Sequence, residues 1–109
     1  MEKLVQKRGN TLVVKIQTEV DHCFADAVRE EVDRLVQTEE IECLEFDFSE
    51  TEFMDSSGIG LVMGRYKILN ELGGTLEVTG LSDNSYKVMR LAGLDRIANI
   101  KKGGSKNGN

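Results

Sequence analysis

The sequence predicts a two-layer α/β domain, a small mixed β-sheet carrying helices mainly on one face. Two observations lead there. Apolar residues switch between a period of two and helical spacing along the chain, giving the order β-β-α-β-α-β-α-β. The predicted strands also alternate apolar with polar residues, whereas strands covered by helices on both faces read as nearly continuous apolar runs. Glu45, Asp47, Glu77 and Thr79 would occupy the second face. A doubly wound nucleotide-binding fold is therefore not expected.

Each element has its own signal. "KLVQKR" and "TLVVKIQ" flank Gly9-Asn10, a pair suited to a tight hairpin turn. In the second run Leu12, Val14 and Ile16 face one way and Val13, Lys15 and Gln17 the other. From Phe24 the spacing becomes helical, with Phe24, Val28, Val32, Leu35 and Val36 on one face and Arg29, Glu30, Asp33 and Arg34 opposite. "CLEFDF" returns to period two, setting Leu44, Phe46 and Phe48 against Cys43, Glu45 and Asp47. A second helix carries the stripe Ile59, Val62, Met63, Tyr66 and Leu69 and stops at Gly73-Gly74. "TLEVTG" alternates through Leu76 and Val78. Ser82 would cap a third helix bearing Val88, Met89, Leu91 and Ala92, ended by Gly93, and "IANI" would form the last strand. Residues 1–102 are expected to form one domain, and 103–109, "GGSKNGN", a disordered tail with nothing apolar to bury.

At 109 residues the chain has room for a single core, and its net charge of −5 argues against nucleic acid and anionic membranes as partners. "MEKLVQKRGN" lacks the apolar run of a signal peptide and "IGLVM" is too short to span a bilayer, so a cytoplasmic location is expected. Cys23 and Cys43 have no CxxC spacing and cannot make a zinc site unaided. They are expected as small buried or half-buried apolar groups rather than a disulfide, and no metal or cofactor is implied.

The chemistry-bearing stretch is "EFMDSSGIGLVMGRYK", residues 52–67. Ser56 or Ser57 could cap the second helix for about 1 kcal/mol, with Asp55 adding a favourable charge at its positive end. Capping leaves the glycines unexplained. Gly58, Gly60 and Gly64 fall in the first two turns, where each costs up to about 1 kcal/mol relative to alanine. The first two would leave the helix start bare for a phosphate, a partner or a neighbouring strand, and Gly64 is expected to pack closely on the sheet. A nucleophile elbow would need a glycine at Met54, and the only histidine, His22, would have to be the base. A dinucleotide fingerprint fails because the third glycine comes one place late, and no GKS or GKT follows for a P-loop. An aspartyl-phosphate receiver would want an acidic pair after the first strand, where "LVQKRGN" has none. Phosphorylation of Ser56 or Ser57 by another protein fits best. A phosphate adds about −1.5 to −2 charge, which the free N–H groups of a helix start tolerate and a partner surface need not.

"FMDSSGIGLVMGRYK" resembles the signature of the anti-sigma factor antagonists, the stand-alone STAS domains of bacterial partner-switching systems. "MDSSG" followed by "GRYK" is most similar to the anti-sigma-F factor antagonists of sporulation. "EVDHCFADAVREEV" resembles the family's acidic loop and first helix, "LEFDFSETEFMDSSG" its central strand and loop, and "VMRLAGLDRIANI" its final helix and strand. The resemblance implies a STAS-like sheet with helices on one side and a binding module with no chemistry of its own. It implies that Ser56 is the phosphoacceptor and Ser57 the unmodified neighbour. Asp21 then contacts the partner rather than only capping a helix, alongside Asp55, Ser57, Gly58, Ile59 and Gly60, while His22 flanks the loop. Thr18 stands where the family usually has glycine. The implied partners are an anti-sigma factor that is also a serine kinase, and a metal-dependent serine phosphatase of the PP2C type; the antagonist itself is expected to be a monomer. Two other readings remain: a relative serving a general stress sigma factor, and a nucleotide- or small-molecule-binding module built on the glycine-lined helix start.

Overall fold

A computed structural model describes residues 5–16, 19–20, 22–51, 53–54 and 56–103. The first hairpin joins β1 (Val5–Arg8) to β2 (Thr11–Lys15), antiparallel, with Arg8 opposite Thr11. Gly9 takes φ 61° in the turn between them. Next come β3 (Glu19–Val20), α1 (His22–Thr38), β4 (Cys43–Asp47), β5 (Phe53–Met54) and α2 (Ser56–Glu71). The chain ends with β6 (Thr75–Leu81), α3 (Asp83–Leu91), a 3-10 turn (Leu94–Arg96) and β7 (Asn99–Lys102).

Five strands form one mixed sheet in the order β1-β2-β4-β6-β7, all pairs after the hairpin being parallel. From β2 onward each new strand is added on the same side of the last. Parallel crossovers are right-handed, so this order sends α1, α2 and α3 to the same face. The core agrees. Leu12, Val14, Leu44, Phe46, Leu76 and Val78 share one buried cluster with Val28 and Val32 of α1, Val62 and Leu69 of α2, and Met89 of α3. Across the opposite face, register aligns Val13, Glu45, Glu77 and Asn99. Polar pairing satisfies much of that face: Thr79 donates to Glu45 Oε2 at 2.9 Å, and Lys101 Nζ lies 3.8 Å from Glu77. The two-layer architecture and the four polar residues expected on the second face are thus found.

Several boundaries and faces differ from expectation. The last strand starts at Asn99, two residues later than "IANI", because Leu94–Arg96 closes a 3-10 turn first. Ser82 caps α3 as expected, its Oγ accepting from Ser85 N at 3.0 Å. Of the four apolar residues assigned to α3 only Met89 is buried; Val88, Leu91 and Ala92 are exposed because the helix rests on the sheet by a narrow contact beside the edge strand β7. Met63 is exposed and Leu61 takes its place in the core. Cys23 is exposed rather than buried, whereas Cys43 is half-buried, as expected. Gly80, at φ 73°, lets β6 pass the chain leaving β4, where a Cβ would stand 2.5 Å from Ser49 N.

Candidate functional site

The shortest strands organise the site. After β4, Asp47 Oδ1 accepts from Ser49 N at 2.9 Å and turns the chain back. It then enters β5, which pairs in parallel with β3, Glu19 opposite Phe53 and Val20 opposite Met54. Two residues beyond each strand a helix begins, α1 at His22 and α2 at Ser56. The pairing therefore sets two helix N-termini side by side, each the positive end of a helix dipole with N–H groups that have no partner within the helix.

Ser56 is the first residue of α2 and is exposed. Neither serine occupies the position before the helix, because α2 already includes both. Among the described residues the Ser56 side chain makes no hydrogen bond or ion pair. Ser57 is different: it is half-buried and engaged in an interaction of its own. Gly58 is buried, Ile59 is half-buried and Gly60 is exposed. A Cβ at Gly60 would meet nothing within 4 Å, so the helix start is open here, as the glycine spacing led us to expect. The same is true of Gly64, which does not pack closely on the sheet as expected, because it faces a cleft. Asp21, Asp55 and Thr18 lie outside the described residues.

That cleft, of about 300 Å3, runs between α1 and α2 and is lined by Asp26, Arg29, Ser57, Gly60, Gly64 and Arg65. Arg65 was not among the expected site residues. It is only 7% exposed, and its Nε stands 2.8 Å from Asp33 Oδ1 on α1. The two atoms are close enough for an ion pair, yet their alignment falls short of a hydrogen bond. Burial pulls the Arg65 pKa below its ordinary value, the Asp33 carboxylate pushes it back up, and nearby Arg29 adds to the lowering. Asp33, assigned from sequence to the solvent face, instead ties α1 to α2. Arg29 is likewise paired, 2.7 Å from Asp26. The pattern was readable: Gly58, Leu61, Val62, Arg65 and Leu69 recur at intervals of three and four, which places an arginine on the buried arc.

The arrangement offers an exposed hydroxyl at a helix start and an open backbone beside it. Among the described residues there is no cluster of His, Cys, Asp and Glu suited to a metal ion, and no helix long and apolar enough to cross a membrane. Residues 2–103 match the family model of the STAS domain. The chain belongs to the STAS family.

Within it, this STAS domain is similar to the anti-sigma F factor antagonist of Paenibacillus polymyxa, 34% identical over 96 residues that cover 88% of this chain and 82% of that one. It is also similar to the anti-sigma-B factor antagonist of Listeria monocytogenes, 35% identical over 92 residues, 84% and 80% of the two chains. Among solved structures it resembles the anti-sigma factor antagonist SpoIIAA in its unphosphorylated form, with a TM-score of 0.80 at 26% identity over 88% of this chain and 84% of that one. The phosphorylated form of SpoIIAA, a Bacillus cell fate determinant, matches with a TM-score of 0.75 at 26% identity over 88% and 87%.

Proposed function

We propose that this STAS domain is an anti-sigma factor antagonist switched by phosphorylation of Ser56. The unmodified form binds an anti-sigma factor that is also a serine kinase, and the sigma factor held by that protein goes free. The kinase then transfers the γ-phosphoryl group of ATP to Ser56 Oγ; ADP leaves, the hydroxyl proton passes to a base on the kinase, and the antagonist is released. A metal-dependent serine phosphatase of the PP2C type hydrolyses the ester and resets the cycle. The domain acts in the cytoplasm as a monomer, and it is a substrate rather than an enzyme.

The observation carrying this reading is the contrast between the two serines, Ser56 exposed at the head of α2 and Ser57 half-buried and engaged. A kinase needs a hydroxyl it can surround. The paired helix starts tolerate an added anion, so the fold need not change for the surface to gain negative charge. Similarity to SpoIIAA in both its forms supports that point. Asp21, Asp55, Ser57, Ile59 and Gly60 complete the partner surface, with Gly58 beneath it as a packing position. The "SSG" and "GRYK" details favour the sporulation branch over the general-stress one. The cleft beside Ser57 is the observation that favours the small-molecule reading, but both of its arginines are already neutralised by Asp26 and Asp33.

The test is site assignment by mass spectrometry after incubation with ATP, magnesium and the anti-sigma kinase of the same genome. One phosphate on Ser56, absent without kinase and absent in Ser56→Ala, is the expected result. Modification of Ser57, or none with a kinase shown to be active, overturns the assignment.

A further inference from the structure

A second surface lies away from the serine turn and shares no residue with its cleft. Along the outer side of α3 a groove of about 680 Å3 is bounded by Tyr86, Lys87, Arg90, Leu91, Arg96 and Lys102, together with Asp83 and Asp95. Its charge runs against that of the whole chain, four cations facing two carboxylates on a protein of net charge −5. Among the described residues outside the groove, Lys15, Arg29, Arg34, Arg65 and Lys101 each pair with a carboxylate, while Lys7 and Arg8 on β1 and Lys67 on α2 stand without one. In the groove only Lys102 is paired, 3.3 Å from Asp83. Lys87, Arg90 and Arg96 have no carboxylate within ion-pair distance among the described residues.

Two further features give the groove shape. Arg90 and Lys102 approach the Tyr86 ring at 5.9 and 5.2 Å from its centroid, so the aromatic ring holds both cations at the groove wall. Leu91 is 82% exposed, the most exposed large apolar side chain among the described residues, with Val88 one turn back at 36%. A surface that joins an apolar side chain to an excess of cations is complementary to an acidic segment with an apolar side chain of its own.

We propose that the outer face of α3 is a docking surface for an acidic, amphipathic segment of a partner protein. Carboxylates of that segment meet Lys87, Arg90 and Arg96, and its apolar residue covers Leu91. The surface does not depend on the state of Ser56, because none of its residues lies in α2.

The experiment uses the 15N-labelled full chain and a synthetic amphipathic peptide of Glu and Leu residues, with a Lys-for-Glu version as control. Binding of the acidic peptide should shift amide resonances of α3, the 3-10 turn and the end of β7. It should weaken about tenfold as salt rises through the range where exposed charges are screened. Lys87→Glu with Arg90→Glu should weaken it at least about tenfold, and Leu91→Ser by about fivefold; these positions are exposed, so the domain stays folded, with a small fall in melting temperature from the lost Arg90–Tyr86 contact and the acid placed in the last turn of α3. Equal binding of the Lys control, shifts centred outside this face, or affinity unaltered by the charge reversal would each overturn the proposal. So would capture of the protein by phosphatidylserine vesicles without binding of the acidic peptide.

Discussion

Removing either partner of the Arg65–Asp33 contact breaks the same ion pair, yet the structure predicts unequal losses. Asp33→Asn leaves the Arg65 guanidinium, its side chain 8% exposed, without a compensating charge in a place where burial already disfavours the cation. Deleting one member of a fully buried pair costs about 3–5 kcal/mol. Asp33 is 30% exposed, so solvent screens part of the coupling and about 2–3 kcal/mol is expected. Arg65→Met keeps the aliphatic stem packed between the helices and removes the buried charge itself. The carboxylate left behind can rehydrate through its exposed side, for about 1 kcal/mol or less. In a domain of this size each kcal/mol moves the melting temperature by about 4 °C, giving losses of about 10 °C for Asp33→Asn and under about 4 °C for Arg65→Met. Thermal and urea unfolding of both variants and the double variant measure this directly. The double variant should melt near Arg65→Met, because the stranded cation is gone. A loss in Arg65→Met equal to or above that in Asp33→Asn would refute the desolvation argument.

Three further outcomes are expected. Ser56→Asp should weaken capture of the anti-sigma factor only partly, since one carboxylate carries less charge than a phosphate, and calorimetry showing unchanged affinity would remove the electrostatic basis of the switch. Gly60→Ala should stabilise the domain by about 0.5–1 kcal/mol, because the new Cβ meets nothing and helix propensity improves, while partner binding falls as the open backbone is covered; a stabilised variant that binds normally would show that the glycine is not there for access. Burial raises the Cys43 thiol above its ordinary value of 9.0, with Glu77 and Glu45 adding to the rise. Timed alkylation read by mass spectrometry should therefore find exposed Cys23 modified first. An unfolded chain ionises this thiol more readily than the folded one, so stability from Cys43 is lost as pH climbs beyond 9.0.

What the sequence disclosed and what it hid divide along physical lines. α1 was legible because it lies on one side of the sheet and shows one clean apolar stripe, Phe24, Val28, Val32 and Val36 all being buried. α2 packs against both the sheet and α1, so its buried arc is wide and includes Gly58 and Arg65. A search for an apolar stripe passes over both. β3 and β5 have two residues each, too few to display any period, and yet their pairing sets the helix starts together. α3 was given too large a core contribution because a sequence stripe counts apolar residues without knowing how much sheet lies beneath them.

The same structure explains why a switch can be placed on this fold without endangering it. The residues that hold α2 in position are Val62, Leu69 and Arg65, deeper along the helix and buried against the sheet and α1. Ser56 contributes nothing to that attachment, being exposed and without a side-chain partner among the described residues, and Gly60 gives up helix stability in favour of an open surface. With Ser56 as the proposed phosphoacceptor, stability and signalling reside on different turns of one helix. A dianionic phosphate at its first residue meets free N–H groups instead of a packed core, so the energetic consequence falls on whatever surface was docked there. The buried ion pair lies more than two turns away, outside the reach of contact with a phosphate on Ser56, so α2 is expected to keep its place against α1 in either state of the proposed switch.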